Sequence, residues 1–154
     1  MISVGKLKQK IRDMAIEGNI PHEILYQNFF FERFLERLSL SMYKDRMIIK
    51  GGFLLTTLLG IENRSTADID ITVRFLTIDK SVVRRSVNHI IDIDIDDGCN
   101  FEIINISKIR HEDKYDGLRV TVLGLFHSLR FHFKLDLSTG DILSPAPVKR
   151  MFKL

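Results

Sequence analysis

The sequence predicts an α/β domain of the α+β kind, a mixed β-sheet with helices packed mainly on one face. Two observations carry that expectation. Apolar residues recur at helical spacing in some segments and alternate strictly with polar ones in others. The order of those segments is helix, helix, strand, helix, strand, helix and then several strands, which does not suit a purely helical or purely β architecture. A third observation bears on function: Asp68, Asp70 and Asp136 each stand between apolar residues within strand-like segments.

Taken in order, residues 3–17 place Val4, Leu7, Ile11, Met14 and Ala15 on one helical stripe, and Gly18-Asn19 ends it. Pro21 can open the next helix, which runs to about Tyr43 with Ile24, Leu25, Phe29, Phe34, Leu35, Leu38 and Met42 along a broad helical stripe. Phe29, Phe30 and Phe31 are consecutive, so one of them must look away from the core centre. Met47-Ile48-Ile49-Lys50 is a short strand stopped by Gly51-Gly52, and residues 53–59 resume as a helix closed by Gly60. Residues 68–75 alternate as a strand. Asp79 is placed to N-cap a helix reaching Ile91. Strands follow at 100–109, 118–126 and 129–137, joined by 113–117 and by His127-Ser128.

At 154 residues the chain reads as one domain able to bury a core. A helical lead-in spans 1–45, a catalytic core 46–141 and a tail 142–154. The net charge of +3 permits an RNA or nucleotide partner without demanding one. Cys99 is the single cysteine, which excludes an internal disulfide or a cysteine zinc site and suits a reducing compartment. No apolar run approaches the ~20 residues that span a bilayer. The first residues also lack a signal-peptide core. The expectation is a cytoplasmic protein without a membrane partner.

The chemistry follows from the aspartates. Side chains on a strand alternate faces, so Asp68 and Asp70 point the same way, about 6.5–7 Å apart at Cα. A third carboxylate from a neighbouring strand, Asp136, completes an oxygen-only set suited to Mg²⁺. Such a set can hold two ions for phosphoryl transfer. Attack of a hydroxyl on the α-phosphate of a nucleoside triphosphate builds charge at both the entering and the leaving oxygen. Asp68 and Asp70 would then bridge the ions, and Asp136 would activate the hydroxyl. Gly51 and Gly52 before a helix allow backbone N–H groups close to the phosphates. Lys50 or Lys134 can add a point charge there.

Each piece has a bland counterpart: a tight turn for the glycines, and a solvated strand edge for the aspartates. The densest acidic run, Asp92-Ile-Asp-Ile-Asp-Asp-Gly98, ends in a turn signature and reads as a solvated helix-to-strand connection. The five histidines show no paired ligand spacing, so a zinc site is not expected.

Several ordered segments together resemble the AbiEii/AbiGii abortive-infection nucleotidyltransferase toxins of type IV toxin–antitoxin systems. They are Glu32-Arg-Phe-Leu-Glu-Arg-Leu-Ser, Met47-Ile-Ile-Lys-Gly-Gly, Arg64-Ser-Thr-Ala-Asp-Ile-Asp-Ile, Tyr115-Asp-Gly-Leu-Arg-Val and Lys134-Leu-Asp-Leu-Ser-Thr-Gly-Asp141. The glycine pair and Asp-x-Asp motif of the wider DNA polymerase β-type superfamily falls on Gly51, Gly52, Asp68 and Asp70. The second motif falls on Lys134, Asp136 and Thr139. The resemblance implies a nucleotidyltransferase-like mixed sheet, Mg²⁺ with Mn²⁺ as the alternative ion, and transfer of a nucleoside monophosphate to RNA, in some members the tRNA acceptor end. It also implies an antitoxin partner, with Arg64 and Thr139 joining the nucleotide contacts.

Two departures stand out. Phe53 occupies a position where relatives often carry a small hydroxyl residue, and the helical C-terminal portion of relatives has no counterpart after residue 141. They motivate an alternative: a nucleotide- or protein-binding remnant, or one half of a split enzyme completed by a separate helical polypeptide. An incomplete domain would expose apolar surface and favour self-association into a homo-oligomer.

Overall fold

The computed structural model describes residues 2–50, 68–111 and 114–139. Helix α1 (Val4–Gly18) is capped by Ser3, whose hydroxyl accepts from the Lys6 amide at 3.1 Å. It ends at Asn19, in the left-handed conformation, whose amide returns to the Ala15 carbonyl. Helix α2 (His22–Leu40) opens behind Pro21 as expected, but stops short of Tyr43. Ser41 is the reason. Its hydroxyl donates to the Leu38 carbonyl at 2.8 Å and accepts from the Tyr43 amide at 3.0 Å, a local bond pattern that competes with helix continuation.

Strand β1 (Met47–Ile49) and strand β2 (Asp68–Val73) pair antiparallel. Helix α3 (Lys80–Ile91) starts at Asp79, whose carboxylate accepts from the Val82 amide at 2.9 Å. Strands β3 (Cys99–His111), β4 (Lys114–Phe126) and β5 (Leu129–Ser138) form an antiparallel meander. The described strands make one five-stranded sheet in the order β1-β2-β5-β4-β3. The β2–β5 pair is parallel, so the sheet is mixed. The helix expected over 53–59 lies outside the described residues.

All three described helices contribute to one core against a single set of alternating strand positions. Phe31 and Phe34 of α2 meet Phe133 of β5 edge-on, at centroid distances of 5.3 and 6.0 Å. Of the three consecutive phenylalanines, Phe30 and Phe31 are fully buried. Phe29 is only partly buried, packing edge-on at 5.1 Å from Phe30 and 5.2 Å from Phe126. Gly124 makes room for this layer, because a Cβ there would sit 2.6 Å from the Phe30 ring.

The β3–β4 hairpin is longer than the sequence suggests, since 114–117 belong to β4 rather than to a connection. Gly117 signals close approach instead of a turn: any Cβ on it would collide with the Leu137 carbonyl of β5.

The acidic run after α3 is only in part the solvated connection expected from its composition. Asp92, Asp94 and Asp96 are exposed, but Asp97 turns inward. There it meets Arg37, a buried arginine whose Nη atoms donate to the two Asp97 oxygens at 2.8 and 2.9 Å. The same guanidinium also donates to the carbonyls of Arg33, Ile93 and Cys99, and lies 5.0 Å from the Phe101 ring centroid. Burial by itself would raise the Asp97 carboxyl. The Arg37 and Cys99 hydrogen bonds, with the charges of Arg37 and Arg33, outweigh it and hold the group below its usual range. This latch ties α2 to the start of β3. Beside it, burial and the Asp97 charge push the Cys99 thiol up to about 12, so it is an inert core group.

Candidate active site on the polar face of the sheet

The face away from the helices is built from the alternate positions of β2, β5 and β4. On β2, Ile69, Ile71 and Val73 are buried, which turns Asp68, Asp70 and Thr72 to the opposite side. On β5, Phe133, Leu135 and Leu137 are buried, which sends Lys134, Asp136 and Ser138 the same way. The parallel register sets Asp68 beside Lys134 and Asp70 beside Asp136. Neighbouring strands lie about 4.8 Å apart. The three aspartates named from sequence therefore share one face, on adjacent strands.

Arg119 of β4 is the register partner of Asp136. Its Nε donates to Asp136 Oδ1 at 2.8 Å and its Nη2 to Oδ2 at 3.1 Å, a two-pronged pair. The same Nη2 is 3.9 Å from Asp68 Oδ2. The hydrogen bond to Asp136 raises the Arg119 guanidinium further above its ordinary value. Partial burial opposes this, and the charges of Asp136, Asp68 and Asp70 reinforce it. One cation thus answers to all three carboxylates.

Lys50, exposed at the end of β1, donates its amide to the Asp70 carbonyl at 2.9 Å and reaches 3.5 Å from Ser138 Oγ with its ammonium. Thr139 is exposed immediately after β5. Gly51, Gly52 and Arg64 lie outside the described residues.

The donor set suits a hard divalent cation in kind and placement: carboxylate oxygens, from two adjacent strands, on one face. Among the described residues, however, no three histidine, cysteine or acidic side chains converge closely enough to hold a metal ion. Asp136 in particular has both oxygens engaged by Arg119. Sequence reasoning gave Arg119 no role, although it lies in the quoted segment Tyr115-Asp-Gly-Leu-Arg-Val. The available signal was a cation at an outward position of a strand predicted beside the acidic one.

These features define an α+β domain of nucleotidyltransferase-like architecture with an acidic patch on the sheet face opposite the described helices. The sequence matches the family described as "Nucleotidyl transferase AbiEii toxin, Type IV TA system" over residues 33–154, and the chain belongs to that family. Membership implies a nucleotidyltransferase toxin with an antitoxin partner. No curated protein and no solved structure matches the chain. No described helix is long and apolar enough to cross a membrane.

Proposed function

We propose that the chain is a metal-dependent nucleotidyltransferase that moves a nucleoside monophosphate from a triphosphate to an RNA hydroxyl, with the tRNA acceptor end as the first candidate. The observation that supports this most is the register pairing of Asp70 with Asp136, with Asp68 on the same face, in a chain of this family. Bound Mg²⁺ or Mn²⁺ supplies charge stabilisation to the entering and leaving oxygens and lowers the pKa of the attacking hydroxyl. Asp68 and Asp70 hold the cation from β2. Asp136, on β5, would join them as a ligand of the ion that activates the acceptor hydroxyl, and takes that hydroxyl's proton. Lys134 and Lys50 flank the acids and suit the phosphates as point charges. Gly51, Gly52, Arg64 and Thr139 complete the nucleotide contacts that the family resemblance implies.

The test offers each labelled nucleoside triphosphate with Mg²⁺ and total cellular RNA to wild type and to Asp68→Ala/Asp70→Ala. Label enters RNA with wild type and not with the variant. Metal-dependent nucleotide binding without incorporation leaves only the alternative of a binding module. Behaviour that is identical in both proteins and indifferent to metal removes both readings.

A further inference from the structure

Resting on that reading, we propose that Arg119 is the resident counter-ion of the acidic face: its guanidinium competes with the divalent cation for Asp136 and, once displaced, serves as a phosphate ligand. Three observations converge on it. Both Asp136 oxygens accept from Arg119, at 2.8 and 3.1 Å, so neither is open to a metal without breaking a bond. The guanidinium also approaches Asp68 at 3.9 Å, leaning across the acidic face toward β2. Third, Asp136 is the register partner of Asp70, so a further carboxylate stands beside the pair on the same face.

Nothing else in the described contacts ties Arg119 down. Among the described residues its side-chain hydrogen bonds go to Asp136 and a longer ion pair to Asp68, and its side chain is 36% exposed, which leaves room to swing. A guanidinium matches phosphate oxygens with the same two-pronged geometry it uses on a carboxylate. Exchanging Asp136 for a phosphate therefore keeps the arginine satisfied while freeing the aspartate. Triphosphate and cation would then enter together, each clearing the way for the other, which is positive linkage between two ligands.

The experiment measures protein-bound Mn²⁺ by equilibrium dialysis, as the excess manganese on the protein side, without nucleotide and with a non-hydrolysable triphosphate equal on both sides. It compares wild type with Arg119→Gln, Arg119→Lys and Asp70→Asn. Without nucleotide, Arg119→Gln binds Mn²⁺ on the order of tenfold more tightly than wild type, the scale expected for removing one charge-assisted competitor. Arg119→Lys falls between them. The triphosphate tightens Mn²⁺ binding in wild type and does so much less in Arg119→Gln. Unchanged or weaker Mn²⁺ binding by Arg119→Gln, while Asp70→Asn abolishes it, overturns the counter-ion role and leaves the proposed function standing. Absence of Mn²⁺ binding in every protein, with and without triphosphate, overturns both. If thermal melting shows Arg119→Gln to be unfolded, Arg119→Lys against wild type decides by the same criteria.

Discussion

Two arginine–aspartate pairs in this molecule are both two-pronged, Arg37 through its two Nη atoms and Arg119 through Nε and Nη2, and they differ most in the surroundings of the arginine. Arg37 and Asp97 are enclosed, with side chains 2% and 12% exposed, and three backbone carbonyls take up the remaining donors of Arg37. Arg119 and Asp136 lie on the open sheet face, 36% and 16% exposed, with a second aspartate near the guanidinium. A buried pair with every donor matched has no low-energy alternative, because releasing either partner strands a charge away from water. A pair whose arginine is a third exposed, among excess carboxylates, can trade partners at little cost. The contrast separates a structural latch from a site, although the bond lengths alone would not.

The largest effect is expected where the latch is cut. Arg37→Ala leaves the largely enclosed Asp97 without its main cation, removes a donor from three carbonyl oxygens and opens a void beside Phe101. Loss of roughly 3–5 kcal/mol of folding stability follows, read by urea denaturation at neutral pH. A stability change inside 1 kcal/mol, of the order seen for exposed pairs, would erase the distinction between the two arginines.

The complementary test cuts the site. Asp70 is exposed and Asp70→Asn removes a charge from an acidic patch, so stability should stay within about 0.5 kcal/mol of wild type. Nucleotide transfer should fall on the order of 10²- to 10³-fold, equivalent to about 3–4 kcal/mol of transition-state stabilisation. Paired urea melts and initial rates check both halves. A variant that unfolds readily while turning over normally would place Asp70 in the scaffold instead.

Acid sharpens the same comparison through the latch. Asp97 is held below its unfolded value of about 3.9, so its contribution is fully present above that pH and is lost as pH falls through the lower folded value. The stability gap between wild type and Asp97→Asn should therefore be constant near neutrality and close progressively below about pH 4. Chemical denaturation of both proteins between neutral pH and pH 3 measures it. A gap that widens on acidification has the wrong sign for this mechanism.

What the sequence disclosed divides along the same line. Periodicity exposed the strand that begins at Asp68, carrying it to 75 where the structure ends it at Val73, and the outward phase of Asp68, Asp70 and Asp136, because alternation is a local property of each strand. The helix cap at Asp79 was legible for the same reason. The register of Asp70 against Asp136 was not, since it depends on how β2 and β5 meet across 65 intervening positions. The Arg37–Asp97 latch was hidden by a similar separation, and the acidic composition of 92–98 pointed toward solvent. Only the fold shows that one of its aspartates faces inward. Gly117 misled because glycine marks close backbone approach as well as turns, and the sequence does not say which.

The smallest effect belongs to Arg119, and its smallness is informative. Arg119→Gln removes a bidentate pair, which in a buried setting would be severe. Here the freed Asp136 gains water and loses a neighbour whose charge was shared among three carboxylates. A stability loss of about 1 kcal/mol or less is expected, measured by urea denaturation without divalent ions. Added Mn²⁺ should recover that loss and more, because a ligand that binds only the folded state stabilises it by mass action. A loss several times larger that Mn²⁺ leaves untouched would make Arg119 a second latch, holding β4 to β5 as Arg37 holds α2 to β3.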